Sequence, residues 1–161
     1  MFLFTNIFKQ SESKVKSLLR TELRDYRIPL IGENAPSFKA ESTEGPVNFP
    51  TDFGRSWKII LSHPMDFTPV CSTELIELAK LQDEFENHDV KLLAVSTDPL
   101  EVHIQWKKAL EQINYKQYPR QKLDFPIVDD SNLVISKLYG MIHLESDNNR
   151  DVRGVFIIDT H

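Results

Sequence analysis

One stretch of the chain gathers residues that could do covalent chemistry. From Ser62 to Glu74 it reads SHPMDFTPVCSTE and holds the only cysteine of the protein, Cys71. Thr68 stands three residues before it, Pro64 and Pro69 stiffen the approach, His63 is the second residue of the stretch and Glu74 closes it. Thr68 is a natural N-cap and Pro69 a natural first helical residue, which puts Cys71 at the third helical position. Backbone N–H groups there lack intrahelical acceptors and carry partial positive charge, so they favour thiolate over thiol. Ionisation alone gains little. A free cysteine is a few per cent thiolate at neutral pH, so complete ionisation raises the nucleophile only about thirtyfold. Large rates require donors aimed at the atom that leaves with negative charge. Thr68 Oγ, the N–H groups of the turn and a distant arginine are the available ones.

The same residues allow other chemistry. With His63 as base, Cys71 would serve a Cys–His hydrolase or acyl transferase. With neither base nor donors it would be an inert small hydrophobe, or a non-enzymatic redox sensor or partner-binding subunit. Its place in a first helical turn, after a strand and a proline-stiffened loop, argues for reactivity. His88, His103 and His143 fall at spacings that match no metal site, and Cys71 has no second thiol nearby, so neither metal nor cofactor is expected. Gly140 and Gly154 do not make a phosphate-binding loop.

The flanking segments must position this stretch. Trp57–Leu61 reads as a strand, and Pro69–Phe85 as a helix with Leu75, Leu78, Leu81 and Phe85 along one face. Val90–Val95 is a buried strand by its near-continuous apolar run. Asp98-Pro99-Leu100-Glu101 reads as a capping box that starts a helix running past Trp106 and Leu110 to about Ile113. Phe125–Val128 is a short strand, Leu133–Tyr139 a short helix closed by Gly140, and Val152–Ile158 a further strand. Strands alternating with helices predict an α/β fold whose active residues gather at strand-to-helix turns. Between Ile28 and Asp52 the prolines and glycines predict turns and short edge strands, with Phe38 and Phe49 pinned to the core.

Residues 28–161 therefore read as one α/β domain and residues 1–27 as an extension. Val15, Leu18, Leu19 and Leu23 recur there at helical spacing among Lys14, Lys16, Arg20 and Arg24. An organelle presequence or membrane-surface helix is one reading, against which Glu12, Glu22 and Asp25 count. A short helix docked on the core or on a partner subunit is the other. The net charge of −5 disfavours non-specific binding to nucleic acid or anionic membrane. No apolar run approaches the roughly 20 residues of a membrane span. A single cysteine cannot form an internal disulfide, which points to a reducing, cytoplasmic setting.

These residues resemble the peroxiredoxin family. Its pattern of Pro, three residues, Thr, two residues, Cys is met by Pro64, Thr68 and Cys71, and Ser72-Thr73-Glu74 is similar to the family's Thr-Glu ending. Val152-Arg153-Gly154-Val155-Phe156-Ile157-Ile158-Asp159 resembles its arginine-bearing strand. Ser62-His63-Pro64, Tyr139 to His143 and the single cysteine are similar to the one-cysteine, peroxiredoxin-6-like subfamily. The resemblance implies a thioredoxin-like fold, a central mixed sheet flanked by helices, and an antioxidant thiol peroxidase acting on hydrogen peroxide and organic hydroperoxides. It implies that Cys71 attacks the peroxide and becomes a sulfenic acid, that Thr68 bonds peroxide and thiolate, and that Arg153 stabilises the thiolate and the transition state. Pro64 would shield the sulfenic acid, Glu74 would orient Arg153, and His63 would support the site. An external thiol of thioredoxin or glutathione type would complete the cycle, in a homodimer or higher homo-oligomer. Family members continue past the position of Asp159 with a further strand and helix that this chain is expected to lack.

Overall fold

A computed structural model describes residues 27–116, 119–142 and 151–160. The expectations for residues 1–26 and for His143 lie outside the described residues.

Two strands, β1 (Phe38–Ala40) and β2 (Val47–Phe49), form an antiparallel hairpin. The main sheet holds β3 (Trp57–Ser62), β4 (Val90–Ser96), β5 (Ile127–Asp129) and β6 (Gly154–Ile158) in the order β5-β4-β3-β6. β3, β4 and β5 run parallel, and β6 lies antiparallel beside β3, with Ser62 opposite Gly154. The helices are α1 (Pro69–Asn87), α2 (Leu100–Leu110) and α3 (Val134–Leu138). The sheet is mixed, as the resemblance implies.

Side chains alternate across a strand, so β4 feeds two cores. Leu92 and Ala94 join Cys71, Leu75, Ile76 and Ala79 of α1 and Trp106 and Leu110 of α2 on one face. Leu93 and Val95 join Phe38, Val47, Phe49, Ile60, Ile135 and Tyr139 on the other. Burial on both faces explains the near-continuous apolar run of this strand. Phe38 and Phe49 do pin the hairpin: both are buried, with rings stacked 5.0 Å apart. Gly140 turns the chain at φ 62°, and a Cβ there would stand 2.6 Å from the backbone nitrogen of Ile28. Only glycine fits that crossing.

Three expectations change. Leu81 is 39% exposed, whereas Leu75 and Ala79 are buried and Leu78 and Phe85 pack against them. At 100° per residue, position 81 lies about 120° from the stripe set by Leu75. Gln82 falls nearer that stripe and caps the segment before β5, its amide donating to the Lys122 carbonyl at 2.9 Å and accepting from Asp124 N–H at 3.1 Å. The Asp98 capping box does not form: no side chain caps α2 from its own N-terminus. Asp129 Oδ2 instead accepts the Leu100 N–H at 3.0 Å, because β5 delivers that carboxylate to the helix start. The last strand begins at Gly154, so Arg153 stands just before it.

β6 forms one edge of the sheet, with Val155 59% and Ile157 68% exposed. Replacing Phe49 by Ala should remove its stacking on Phe38 and leave a cavity in the second core, costing about 3–5 kcal/mol in urea unfolding. A loss below about 1 kcal/mol would mean that the hairpin is not anchored there.

Candidate active site around Cys71

β3 ends at Ser62, residues 63–68 form a loop, and α1 begins at Pro69. Cys71 lies in the first turn of α1, as its spacing from Thr68 predicts, and is 1% exposed. A buried sulfur in an apolar cluster would be inert without a polar partner. It has one: Arg153 Nη2 donates to Cys71 Sγ at 3.1 Å, across 82 residues of chain. The same guanidinium directs Nε to Glu74 Oε2 at 3.0 Å, one helical turn beyond Cys71. Partial burial works against the charge of Arg153, but Glu74 and Cys71 outweigh it and raise its pKa further. The guanidinium is therefore a permanent cation on the sulfur.

Ser62 aims this arginine, a role its sequence position gave no sign of. Its hydroxyl donates to the Val152 carbonyl at 2.5 Å and accepts the Gly154 N–H at 2.9 Å. One side chain at the end of β3 thus holds the peptide on each side of Arg153.

Thr68 occupies the cap position of α1 with extended backbone, φ −87° and ψ 146°, but its side chain does not cap the helix. Its hydroxyl donates to the Met65 carbonyl at 2.9 Å. Phe67 just before it adopts φ 55°, a left-handed conformation costing a bulky residue about 1 kcal/mol. Turning back through Phe67 brings Thr68 Oγ over Met65 and away from the helix N–H groups. Pro64 is half-buried in the same loop.

His63 is 2% exposed and faces a carboxylate, not the sulfur. Its Nε2 meets Asp66 Oδ1 at 2.7 Å, and His103 Nδ1 from α2 meets Asp66 Oδ2 at 2.6 Å. Asp66 N–H donates in turn to Asp98 Oδ2 at 2.7 Å, which is where the carboxylate expected to cap α2 has gone. Burial pushes the Asp66 carboxyl up, but hydrogen bonds from His103 and His63 outweigh it and hold its pKa below the ordinary value. An ionised Asp66 accepts from both rings, so His63 Nε2 and His103 Nδ1 carry the donated hydrogens. The His63 ring also lies 4.9 Å from Trp106, whose indole N–H donates to Ser72 Oγ at 3.2 Å. These contacts fasten the loop and α1 to α2. His63 and Asp66 lie three residues apart in one loop, a proximity the sequence reading did not use; His103, 37 positions beyond Asp66, could be found only in three dimensions.

Removing this carboxylate with Asp66→Ala strands two buried imidazole donors and should cost about 3 kcal/mol or more at neutral pH. A depressed carboxyl pKa stabilises above the unfolded value and ceases to do so as pH falls through the folded one. Wild type should therefore lose stability below about pH 4 more steeply than Asp66→Ala, read as urea midpoints against pH. Parallel acid limbs would remove Asp66 from this role.

Comparison with known proteins fits this geometry. The AhpC/TSA family model matches residues 31–161. A peroxiredoxin of Methanosarcina mazei is 42% identical over 133 residues, covering 82% of this chain and 61% of that protein. Peroxiredoxin-6 of Mus musculus is 46% identical over 132 residues, covering 80% of this chain and 58% of that protein. The chain thus spans less than two-thirds of the length of either relative. Among solved structures, the yeast mitochondrial 1-Cys peroxiredoxin, studied for thiol resolution via glutathione/thioredoxin systems, superposes with a TM-score of 0.73 at 36% identity. That match covers 83% of this chain and 63% of the yeast one, and it carries the thioredoxin-like fold. The matched residues include every group described around the sulfur, and the chain belongs to the AhpC/TSA family.

Proposed function

We propose that the chain is a thiol-dependent peroxidase that reduces hydrogen peroxide and organic hydroperoxides at Cys71. The observation that carries this reading is the arginine on the buried sulfur, held by Glu74 on its other edge. The Cys71 thiolate attacks the terminal oxygen of a hydroperoxide; an S–O bond forms as the O–O bond breaks. Sulfur loses two electrons and becomes sulfenic acid, and the departing alkoxide or hydroxide takes a proton and leaves as alcohol or water. Arg153 stabilises charge on both the attacking sulfur and the leaving oxygen, the kind of fixed electrostatic donation that works best where water is excluded. Thr68 has its hydrogen committed to Met65, so its oxygen lone pairs are free to accept the peroxide O–H. Pro64 limits access of water and further oxidant to the sulfenic acid.

Cys71 is the only cysteine in the sequence, and the reading assigns reduction of the sulfenic acid to an external thiol. One thiol condenses with it to a mixed disulfide and water, and a second thiol releases Cys71 as thiolate. The glutathione and thioredoxin systems that resolve the yeast relative make reductants of that type the first to assay. The reading includes a reducing, cytoplasmic setting and assembly as a homodimer or higher oligomer, which sedimentation would test. A Cys–His hydrolase has less support, because the described Nε2 of His63 is engaged by Asp66 and no hydrogen bond joins the ring to Cys71 among the described residues.

One equivalent of peroxide should add one oxygen to Cys71 by mass spectrometry, ahead of an excess of a neutral alkylating reagent. Cys71→Ser should abolish peroxide consumption. Arg153→Ala should slow Cys71 oxidation about a hundredfold, the loss typical of one transition-state donor. Arg153→Lys should recover only part of it, since an ammonium cannot hold Glu74 and sulfur together through a planar fork. Peroxide and alkylating reagent reacting at comparable rates would refute the reading.

A further inference from the structure

A second polar cluster lies on the opposite face of the sheet, where the peroxidase chemistry assigns nothing. Asp130, fully buried, follows β5 and accepts the Ile135 and Ser136 N–H groups of α3 at 2.8 and 2.7 Å. Ser136 Oγ also meets Asp130 Oδ2, and the same oxygen meets Asp151 Oδ1. Asp151 is 3% exposed, and its Oδ2 has no hydrogen-bond partner among the described residues.

Counting hydrogens decides the state of this cluster. A hydroxyl has one hydrogen, yet Ser136 Oγ bonds two carboxyl oxygens, so a second proton must reside on one of the carboxyls. Asp130 accepts two backbone N–H groups and the serine O–H, which favour its anion. Among the described residues Asp151 has only the serine, so it carries the proton: Asp151 Oδ1–H donates to Ser136 Oγ, and Ser136 O–H donates to Asp130. Burial raises the Asp151 pKa to about 7, with the Asp130 charge adding to the rise against the serine bond. Burial raises Asp130 as well, against its hydrogen bonds from Ser136 and Ile135. Among the described residues, Asp130 at the entrance to α3 is the charged group that acts on Asp151. On the β6 side Ser62 is uncharged, and the Arg153 guanidinium is directed to Cys71 and Glu74.

Asp151 stands two residues before Arg153. It bridges Ile142 in antiparallel fashion, Val152 N–H donates to the Met141 carbonyl at 2.7 Å, and Ser62 holds the next two peptides. The segment that delivers Arg153 is therefore tied to α3 at one end and to β3 at the other. We infer that Asp130, Ser136 and Asp151 form a proton-dependent latch that positions Arg153 on Cys71, tightest while Asp151 holds its proton and weakened as that proton leaves. Without it, two anions face a hydroxyl that can satisfy only one, and the segment is pushed from α3. The functional consequence rests on the peroxidase reading; the latch itself does not.

The test follows amide hydrogen exchange at Val152 and Gly154, corrected for the intrinsic rate, from about pH 4 to about pH 8. A carboxyl raised to about 7 in the closed state weakens closure between its ordinary range and that value, not above it. Wild-type protection should fall by up to about tenfold per pH unit between about pH 4 and about pH 7 and then level off. Asp151→Asn and Asp151→Thr each supply a hydrogen that cannot be lost, and their protection should fall much less steeply than that of wild type, the remaining slope coming from the raised Asp130 carboxyl. A flat wild-type profile, or variants as steep as wild type, overturns the latch. Sulfenic acid formation at limiting peroxide should be several-fold faster in Asp151→Asn than in wild type near pH 8, equal near pH 4, and indistinguishable at either pH in an Arg153→Ala background. A difference that persists in that background overturns positioning through Arg153. Exchange needs no turnover, so a chain inert to peroxide with the expected exchange profile refutes the peroxidase reading and leaves the latch standing.

Discussion

A sulfur buried to 1% exposure keeps one charged partner, the guanidinium of Arg153. The apolar cluster around Cys71 offers the sulfur no polar contact, and the first-turn N–H groups carry only partial charges. Arg153 supplies a whole one at 3.1 Å, and Glu74 fixes the plane of the fork so that Nη2 faces the sulfur. The rest of the fold can be understood as what keeps three elements, α1, the end of β3 and the entry to β6, in register around that contact.

That register has two independent supports. On the α1 side, the loop from His63 to Thr68 includes a left-handed Phe67 and would have several alternatives if free. Asp66 removes them by accepting from His63 within the loop and from His103 on α2, while its N–H holds Asp98. On the β6 side, Ser62 clasps both peptides that flank Arg153, and Asp151 fastens the residue before them to α3. The first support is an anion between two donors. The second requires a carboxylic acid to keep its proton, so the two respond to pH in opposite senses: acid weakens the first and strengthens the second.

The two-faced sheet explains why these supports can be buried at all. β4 carries apolar residues on both faces, so each face closes over its own polar cluster and excludes water from it. Charged groups that are costly to bury alone become tolerable where each has several partners. Asp66 accepts from two rings, whereas Asp151 has one oxygen without a partner among the described residues, and burial raises its pKa with little to oppose it.

Sequence was informative wherever the cause was local. Pro69 suits the first helical position through a preference that acts within a few residues, so the third helical position of Cys71 could be read directly. The apolar run of β4 and the alternation of strands and helices likewise gave the α/β class, because periodicity depends only on neighbours along the chain. The motif around Cys71 and the arginine-bearing segment also carried the family resemblance, which the match over residues 31–161 bears out. Local rules failed where a distant group outcompeted a near one. Asp98 lost α2 to Asp129, and Thr68 turned its hydroxyl to Met65. His103 as a partner of Asp66 and Asp151 as a partner of Ser136 were invisible for the same reason: a hydrogen bond between residues 37 or 15 positions apart leaves no periodic trace. The sequence by itself determined which atoms could react and which segments would fold. Only the tertiary structure decided which charges meet, because that depends on how strands register across the sheet.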